Sequence, residues 1–302
     1  NSDELKIEST KLISNGEVFE VFGWGANTLF SDSGLSSTLI KAKSNELKIL
    51  NSFIPSAEFE VVENQQENKR HVVFKTEKIS TGFDTDDLNY TEPEAEDVYV
   101  WISAGTSLPF AINDLISKGV TGLSMFSGIP GTIGGAIFNN IHGGHRILSE
   151  FIYSVDIVDA DGNVKSLTAP ELEFDYNTSL LQKQKSVILG GIFKLKLGDK
   201  ERAKRSAIEW VKRKATQPKN SLGSVFHNID SDVQAKLGFP TSSMAYIIEH
   251  ELGLSGFKIG GIAIPQVYPP EHIQVNKNIF TNDGNGTASD FIAVMRKVSD
   301  SS

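Results

Sequence analysis

An α+β fold in two unequal parts is what this 302-residue sequence predicts, and three observations carry that expectation. Up to about Gly198 short runs of apolar and β-branched residues recur, with few helical stretches between them, which reads as a strand-rich part. After Gly198 the texture changes to amphipathic helical stretches with only brief strands. Two glycine-dense segments interrupt the first part, around Gly23 and around Gly131. The length accommodates two domains, expected at 1–198 and 199–302, the first subdivided into roughly 1–45 and 46–198.

The elements follow in chain order. Val18 to Phe22 is a short apolar run ending in the turn Gly23-Trp24-Gly25-Ala26-Asn27. Ser37 to Ala42, Phe59 to Val62, His71 to Lys75 and Asp97 to Ser103 read as further strands. Leu108 to Lys118 has apolar residues at helical spacing and stops at Gly119, a C-terminal cap. Phe151 to Val158 and Val164 to Leu167 form a hairpin across Asp161-Gly162, and Ser186 to Leu197 adds another strand. Beyond Gly198, helices are expected at Lys200 to Lys214, Ser243 to Glu251 and Ala288 to Val298. Strands are expected around Ser224-Val225-Phe226 and from Ile259 to Ile264.

Composition closes several routes. With no cysteine there is no disulfide framework, thiolate metal site or cysteine nucleophile. A net charge of −9 argues against general nucleic-acid binding. No apolar stretch reaches the roughly 18 residues needed to span a bilayer, and no signal-peptide pattern opens the sequence. A cytoplasmic protein without membrane or nucleic-acid partners, acting as a monomer, is expected. Acidic residues crowd Thr81 to Asp97, a solvated loop or hairpin. Basic residues crowd Lys200 to Lys219, either a solvated helix face or one wall of an anion site. His142-Gly143-Gly144-His145 has metal-like residues but no third ligand at sensible spacing, so a loop is favoured and no metal is expected.

The chemistry is expected in the glycine segments. Glycine takes positive φ at no steric cost and lets backbone N–H groups approach a phosphate. Gly23-Trp24-Gly25-Ala26-Asn27-Thr28 could cradle a pyrophosphate or be a plain tight turn. Thr28 stands where a Rossmann fingerprint needs its third glycine, and no Gly-Lys-Ser/Thr follows. Gly128 to Gly135 holds four glycines in eight residues, with Pro130 fixing one φ. So many glycines cost backbone entropy on folding, which makes sense where a flat ring or phosphate must lie against bare backbone. A packed turn entering a buried helix is the alternative.

Together these segments resemble those of the UDP-N-acetylenolpyruvoylglucosamine reductase family, within the vanillyl-alcohol-oxidase/PCMH-type FAD-binding superfamily. Gly23-Trp24-Gly25-Ala26-Asn27 resembles the family's Gly-Gly-Gly-Ser-Asn turn, and Ala104-Gly105 its Ala-Gly pair. Ile129 to Ala136 is similar to its Ile-Pro-Gly-Thr-Val-Gly-Gly-Ala loop, with Ile133 for Val. Arg213 to Pro218, Gly223 to Asn228 and Gly253 to Gly261 resemble later motifs, so the likeness runs from about Asp3 to Val298. The resemblance implies a PCMH-type FAD-binding domain of two α/β subdomains, then a smaller α+β substrate-binding domain. It implies non-covalent FAD held by Gly23, Gly25, Ala26, Asn27, Thr28, Gly105, Ser127, Gly128, Ile129, Pro130, Gly131, Gly134, Gly135, Asn139 and His142. Tyr176, Arg213 and Asn228 would contact substrate.

The activity so implied is an NADPH-dependent reduction of UDP-N-acetylglucosamine enolpyruvate to UDP-N-acetylmuramate, serving peptidoglycan synthesis and hence cell-wall biogenesis, cell shape and division. Ser224 matches the family's proton donor, although a Gly-Ser pair alone is more often a turn. A serine hydroxyl is a weak acid, so positive groups must stabilise the enolate while the proton moves. Here the chain departs from the family, since Asn177 in Asp175-Tyr176-Asn177-Thr178-Ser179 stands at the position of the family arginine. The terminal glutamate segment and the initial Thr-Phe-x-x-Gly-Gly strand pair are unmatched, so a fragment of a longer chain is expected. Two alternatives remain: another FAD-dependent oxidoreductase on this scaffold, or a flavin-binding protein that has lost catalysis.

Overall fold

The computed structural model describes residues 1–50, 88, 90–215, 217–218, 220–266 and 276–301. The strands expected at Phe59 to Val62 and His71 to Lys75, and most of the acidic run before Thr91, lie outside them. Two compact units emerge. Among the described residues, the first comprises 1–25, 37–50 and 88–212, and the second 26–36 and 213–301.

The first unit opens with helix α1 (Ser2–Ser14), which the strand-based expectation missed. Its start is written locally: the Asn1 side chain accepts from Glu4 N at 2.8 Å, and Glu4 reaches back to the Asn1 amine. Leu5, Ser9 and Leu12 recur at helical spacing and are buried, with Leu5 in a cluster with Ala42, Val158, Val187 and Leu189. Strands β1 (Phe19–Phe22) and β2 (Thr38–Lys41) pair in parallel, so the turn after β1 leaves a small sheet of its own.

The main sheet is antiparallel. It takes in β3 (Leu47–Ile49), β4 (Asp97–Ser103) and, after helix α2 (Leu108–Ser117), the two-residue β5 (Val120–Thr121). Helix α2 is capped by Ser107 and stopped by Gly119 at φ +74°. Helix α3 (Ile133–Phe138) comes next, then a minimal hairpin of β6 (His142–Gly143) and β7 (Arg146–Ile147). The hairpin of β8 (Ile152–Val158) and β9 (Val164–Thr168) turns at Gly162, where Asp159 Oδ1 accepts from the backbone of Asp161 and Asn163. The long strand β10 (Val187–Leu197) lies between β4 and β8, giving the order β3-β4-β10-β8-β9 with β5 also on β10.

Helix α4 (Lys200–Ala215) presents a basic outer face, but Ala203, Ala207 and Trp210 join the first unit's core, and Trp210 Nε1 donates to Leu88 O at 3.2 Å. The units therefore divide after Lys212 rather than at Gly198: the helix changes the sequence texture before the packing changes.

The second unit has its own core of Met244, Ile247, Ile248, Ile262, Ile264, Phe280, Phe291, Val294 and Val298. Its elements are α5 (Ser231–Leu237), α6 (Met244–Tyr246) continuing as a π-turn over Ile247–Glu251, β11 (Lys258–Ile259), β12 (Ile262–Ala263), β13 (Thr281–Asn282) and α7 (Ala288–Ser301). Two expected strands differ. Ile259 to Ile264 is not one strand but the hairpin β11–β12, reversing at Gly260-Gly261, where Gly260 takes φ +54° and a side chain at Gly261 would overlap Gly286 N. Ser224-Val225-Phe226 has no strand partner among the described residues; the side-chain amide of Asn278 takes that place. Helix α5, ended by Gly238 at φ +69°, was unexpected because it buries no side chain and so writes no apolar stripe.

Candidate functional site

The glycine segments of the first unit meet. A Cβ on Gly23 would overlap Thr132 Oγ1, so the turn after β1 approaches the second segment closely enough to exclude any side chain. Thr132 is buried, caps α3 and accepts from Gly135 N at 3.3 Å. Leu108 N donates to Gly131 O at 3.0 Å, which ties the loop to the start of α2.

The glycines divide into two groups. Gly105 and Gly134 are glycine because protein abuts them. A Cβ on Gly105 would overlap Ser44 N, and Gly105 N donates to Ser44 Oγ at 3.0 Å. A Cβ on Gly134 would stand 2.9 Å from Ala104 Cβ, where Gly134 N donates to Ala104 O at 2.8 Å. Among the described residues, Gly25 (φ +72°) and Gly131 (φ +130°) have nothing within 4 Å of a Cβ position. At Gly135 a Cβ would meet only Thr132 Oγ1, at 3.6 Å. Gly128 (φ +81°) and Pro130 are exposed, Ile129 half-buried and Ser127 buried. Bare backbone thus faces open space at Gly25, Gly131 and Gly135, a surface suited to a flat ring or a diphosphate.

Next to it, Asn139 Nδ2 donates to Gly135 O at 3.0 Å. The His142 ring lies 4.4 Å from that of Tyr176, at 63°, and burial pushes the Tyr176 hydroxyl above its ordinary value. Asn177 occupies a tight turn in which Asp175 and Thr178 exchange backbone hydrogen bonds. Its φ is +55°, a conformation that asparagine tolerates better than most residues. Its carbonyl accepts from Gln182 Nε2 at 3.1 Å.

In the second unit, Gly223 (φ +85°, open space) precedes an exposed Ser224. Asn278 fixes the two residues after that serine: its main-chain O accepts from Val225 N (2.8 Å), its Oδ1 from Phe226 N (2.9 Å), and its Nδ2 donates to Phe226 O (2.7 Å). Asn228 Oδ1 accepts from Met244 N at 3.1 Å at the start of α6, and Arg213 is half-buried near the end of α4. Ala26, Asn27 and Thr28 belong with the second unit. Their segment is pinned by Asp32, which accepts from Ala288 N (2.6 Å), Ser289 N (2.8 Å) and Ser289 Oγ (2.5 Å) at the start of α7. These bonds hold the Asp32 carboxyl below its usual range, the Ser289 hydroxyl contributing most.

Sequence reasoning passed over four residues here. Asn140, fully buried at φ +40°, donates to Asp175 O (2.9 Å) and accepts from Ser149 N (2.9 Å), tying the second glycine segment to the Tyr176 turn. Thr132 had a legible signal, a threonine just before an apolar–glycine helix start. Asp32 and Asn278 had none, since their partners are distant in sequence.

A family model described as an FAD binding domain matches residues 68–168. The chain is similar to UDP-N-acetylenolpyruvoylglucosamine reductase of Pediococcus pentosaceus, 32% identical over 73% of this chain and 66% of that protein. It is also similar to the enzyme of that name from Bacillus subtilis, 31% identical over 70% of this chain and 64% of that one. These alignments span just under two thirds of the relatives' length. Among solved structures, UDP-N-acetylenolpyruvylglucosamine reductase from Thermus caldophilus superposes with a TM-score of 0.65 at 22% identity, covering 99% of this chain and 85% of that one. That superposition shows the α+β FAD-binding fold.

Proposed function

The chain belongs to the UDP-N-acetylenolpyruvoylglucosamine reductase family, and from that premise we propose that it uses NADPH to reduce the enolpyruvyl group of a UDP-sugar. The product is UDP-N-acetylmuramate, in the cytoplasm, for peptidoglycan synthesis, and the working form is a monomer. The first unit takes the flavin role expected for 1–198, and the second the sugar-nucleotide role expected for 199–302. The observation that carries the reading is the bare backbone of Gly25, Gly131 and Gly135 beside open space, joined through the Gly23–Thr132 contact.

The residues present fit FAD: a Cβ at Gly25 or Gly131 would fill space that no described residue occupies. Gly25, Ser127 to Gly131 and Gly135 of the first unit would hold it, and the family resemblance assigns Ala26, Asn27 and Thr28 to the same cofactor. Gly105 and Gly134 shape the cradle from behind through Ser44 and Ala104. Asn139 steadies the Gly135 peptide, and His142, backed by Tyr176, borders the site. When bound, FAD supplies two-electron carriage between the nicotinamide and the enolpyruvyl double bond.

Ser224 donates its hydroxyl proton to the carbon bearing the carboxylate as the double bond is reduced at its other carbon, and recovers the proton from water. Arg213 supplies positive charge to the diphosphate, Tyr176 packs against the substrate, and Asn228 holds the Ser224 loop to α6. Removing an electrostatic donor for the enolate costs about 3–4 kcal/mol, roughly a hundred- to thousandfold in rate, so a cation other than residue 177 is required.

The test is anaerobic. NADPH should bleach the flavin band of the loaded chain, and the enolpyruvyl sugar nucleotide should restore it. Ser224→Ala should slow only the restoration; equal loss in both halves refutes the assignment. Asn177 favours a second reading, a flavin-dependent oxidoreductase acting on a different substrate, for which bleaching without restoration is the signature. A chain that holds flavin yet ignores NADPH would instead be a binding protein.

A further inference from the structure

We infer that Asn278 is the positioning residue of Ser224, an inference that rests on Ser224 being the proton donor. Ser224 is exposed, follows a left-handed glycine and sits in no strand. Among the described residues no hydrogen bond fixes its hydroxyl, yet proton transfer needs the donor within hydrogen-bond reach of the receiving carbon. Asn278 supplies the constraint from far along the chain, making three hydrogen bonds of 2.7–2.9 Å to the two residues after Ser224. Its side chain reproduces a strand partner, one acceptor and one donor, for the single peptide chain at Phe226.

The clamp is itself anchored. Asn278 is 4% exposed, and its N donates to Asn276 Oδ1 at 2.9 Å. The preceding Lys277 is 1% exposed, with Nζ 3.5 Å from Glu249 Oε1. A lysine so buried is held where its charge is paired. Glu249 comes from the π-turn Ile247–Glu251, a conformation rare in proteins and often found at functional sites. On the other side Phe280 packs against Phe226 (6.1 Å) and Phe291 (5.6 Å). The Ser224 loop is thereby referred to the second unit's core.

The side-chain chemistry dictates the variants. Asn278→Ala removes both side-chain bonds. Asn278→Asp is nearly isosteric and keeps the acceptor for Phe226 N, but sets a carboxylate oxygen against Phe226 O in place of the donor.

Rapid-mixing measurements on the flavin-loaded chain separate the half-reactions. Both variants are expected to slow the limiting rate of reoxidation by the enolpyruvyl sugar nucleotide, on the order of tenfold to a hundredfold. NADPH bleaching should stay within about twofold, and the half-saturating sugar concentration should change less than the rate. Because Asn278 acts through Ser224, the Ser224→Ala/Asn278→Asp double variant should be no slower than Ser224→Ala alone. Losses that multiply in the double variant, or equal slowing of both halves, overturn the inference. If Ser224→Ala is slow while Asn278→Asp reoxidises like the wild type, the inference alone fails. If Ser224→Ala itself reoxidises normally, the proton-donor reading fails and takes the inference with it.

Discussion

The glycine segments of the first unit and the Ser224 loop of the second solve the same problem by opposite means. Around Gly131 the site is made by leaving side chains out: Gly25, Gly131 and Gly135 face open space, and Gly23, Gly105 and Gly134 let the supporting chains approach. Around Ser224 the site is made by adding a side chain, the Asn278 amide, which holds the two residues after the serine. A surface built of backbone accepts a large flat ligand. A loop built on hydrogen bonds presents one hydroxyl.

Substitutions break this comparison in order of expected size. Gly134→Val should have the largest effect on stability, about 2–3 kcal/mol, because the branched side chain would be driven into Ala104. Chemical denaturation checks it, and flavin loss without loss of stability would contradict this packing role. Gly25→Ala should cost about 1–2 kcal/mol, the strain of a left-handed residue with a Cβ, with no clash to add. Gly135→Ala should go the other way. Its backbone is helical and its Cβ space is open, so the methyl should stabilise by about 0.4–1 kcal/mol, read as a higher melting temperature.

The mildest test concerns Asp32. Its folded carboxyl sits below the ordinary 3.8 because the ionised form accepts from Ser289 and Ala288. Its contribution is therefore complete above that unfolded value and lost as pH falls through the lowered folded value. Asn at this position should lower stability at neutral pH and change it least at the acid end, so that the acid limb of a pH–stability profile flattens. Lys258, Asp283 and Asp290 also populate this end of the second unit. An acid limb identical to the wild type would remove Asp32 from the account.

Much of the first region was legible because its signals are local. Gly162, Gly119 and the Ser107 cap sit where turn and helix chemistry put them, and the glycine density of 128–135 announced exposed backbone. What local density could not say was which glycines face protein and which face space, since that depends on Ala104, Ser44 and Thr132 arriving from elsewhere. The second region was less legible for the same reason. Ser224 to Phe226 read as a strand from its β-branched and aromatic residues, but its partner is one asparagine across the unit. Helix α1 was missed although its Asn-x-x-Glu box was present, because the polar Ser9 interrupts the buried stripe between Leu5 and Leu12.

Titration of FAD into the flavin-free chain, wild type beside Gly135→Ala, bears most directly on the role of the open backbone. Saturable one-to-one binding is predicted for the wild type, weakened about tenfold or more (~1.4 kcal/mol) in the variant although its fold is no less stable. Absence of saturable binding to the wild type, or equal affinity in both, would contradict the claim that this open backbone holds the cofactor.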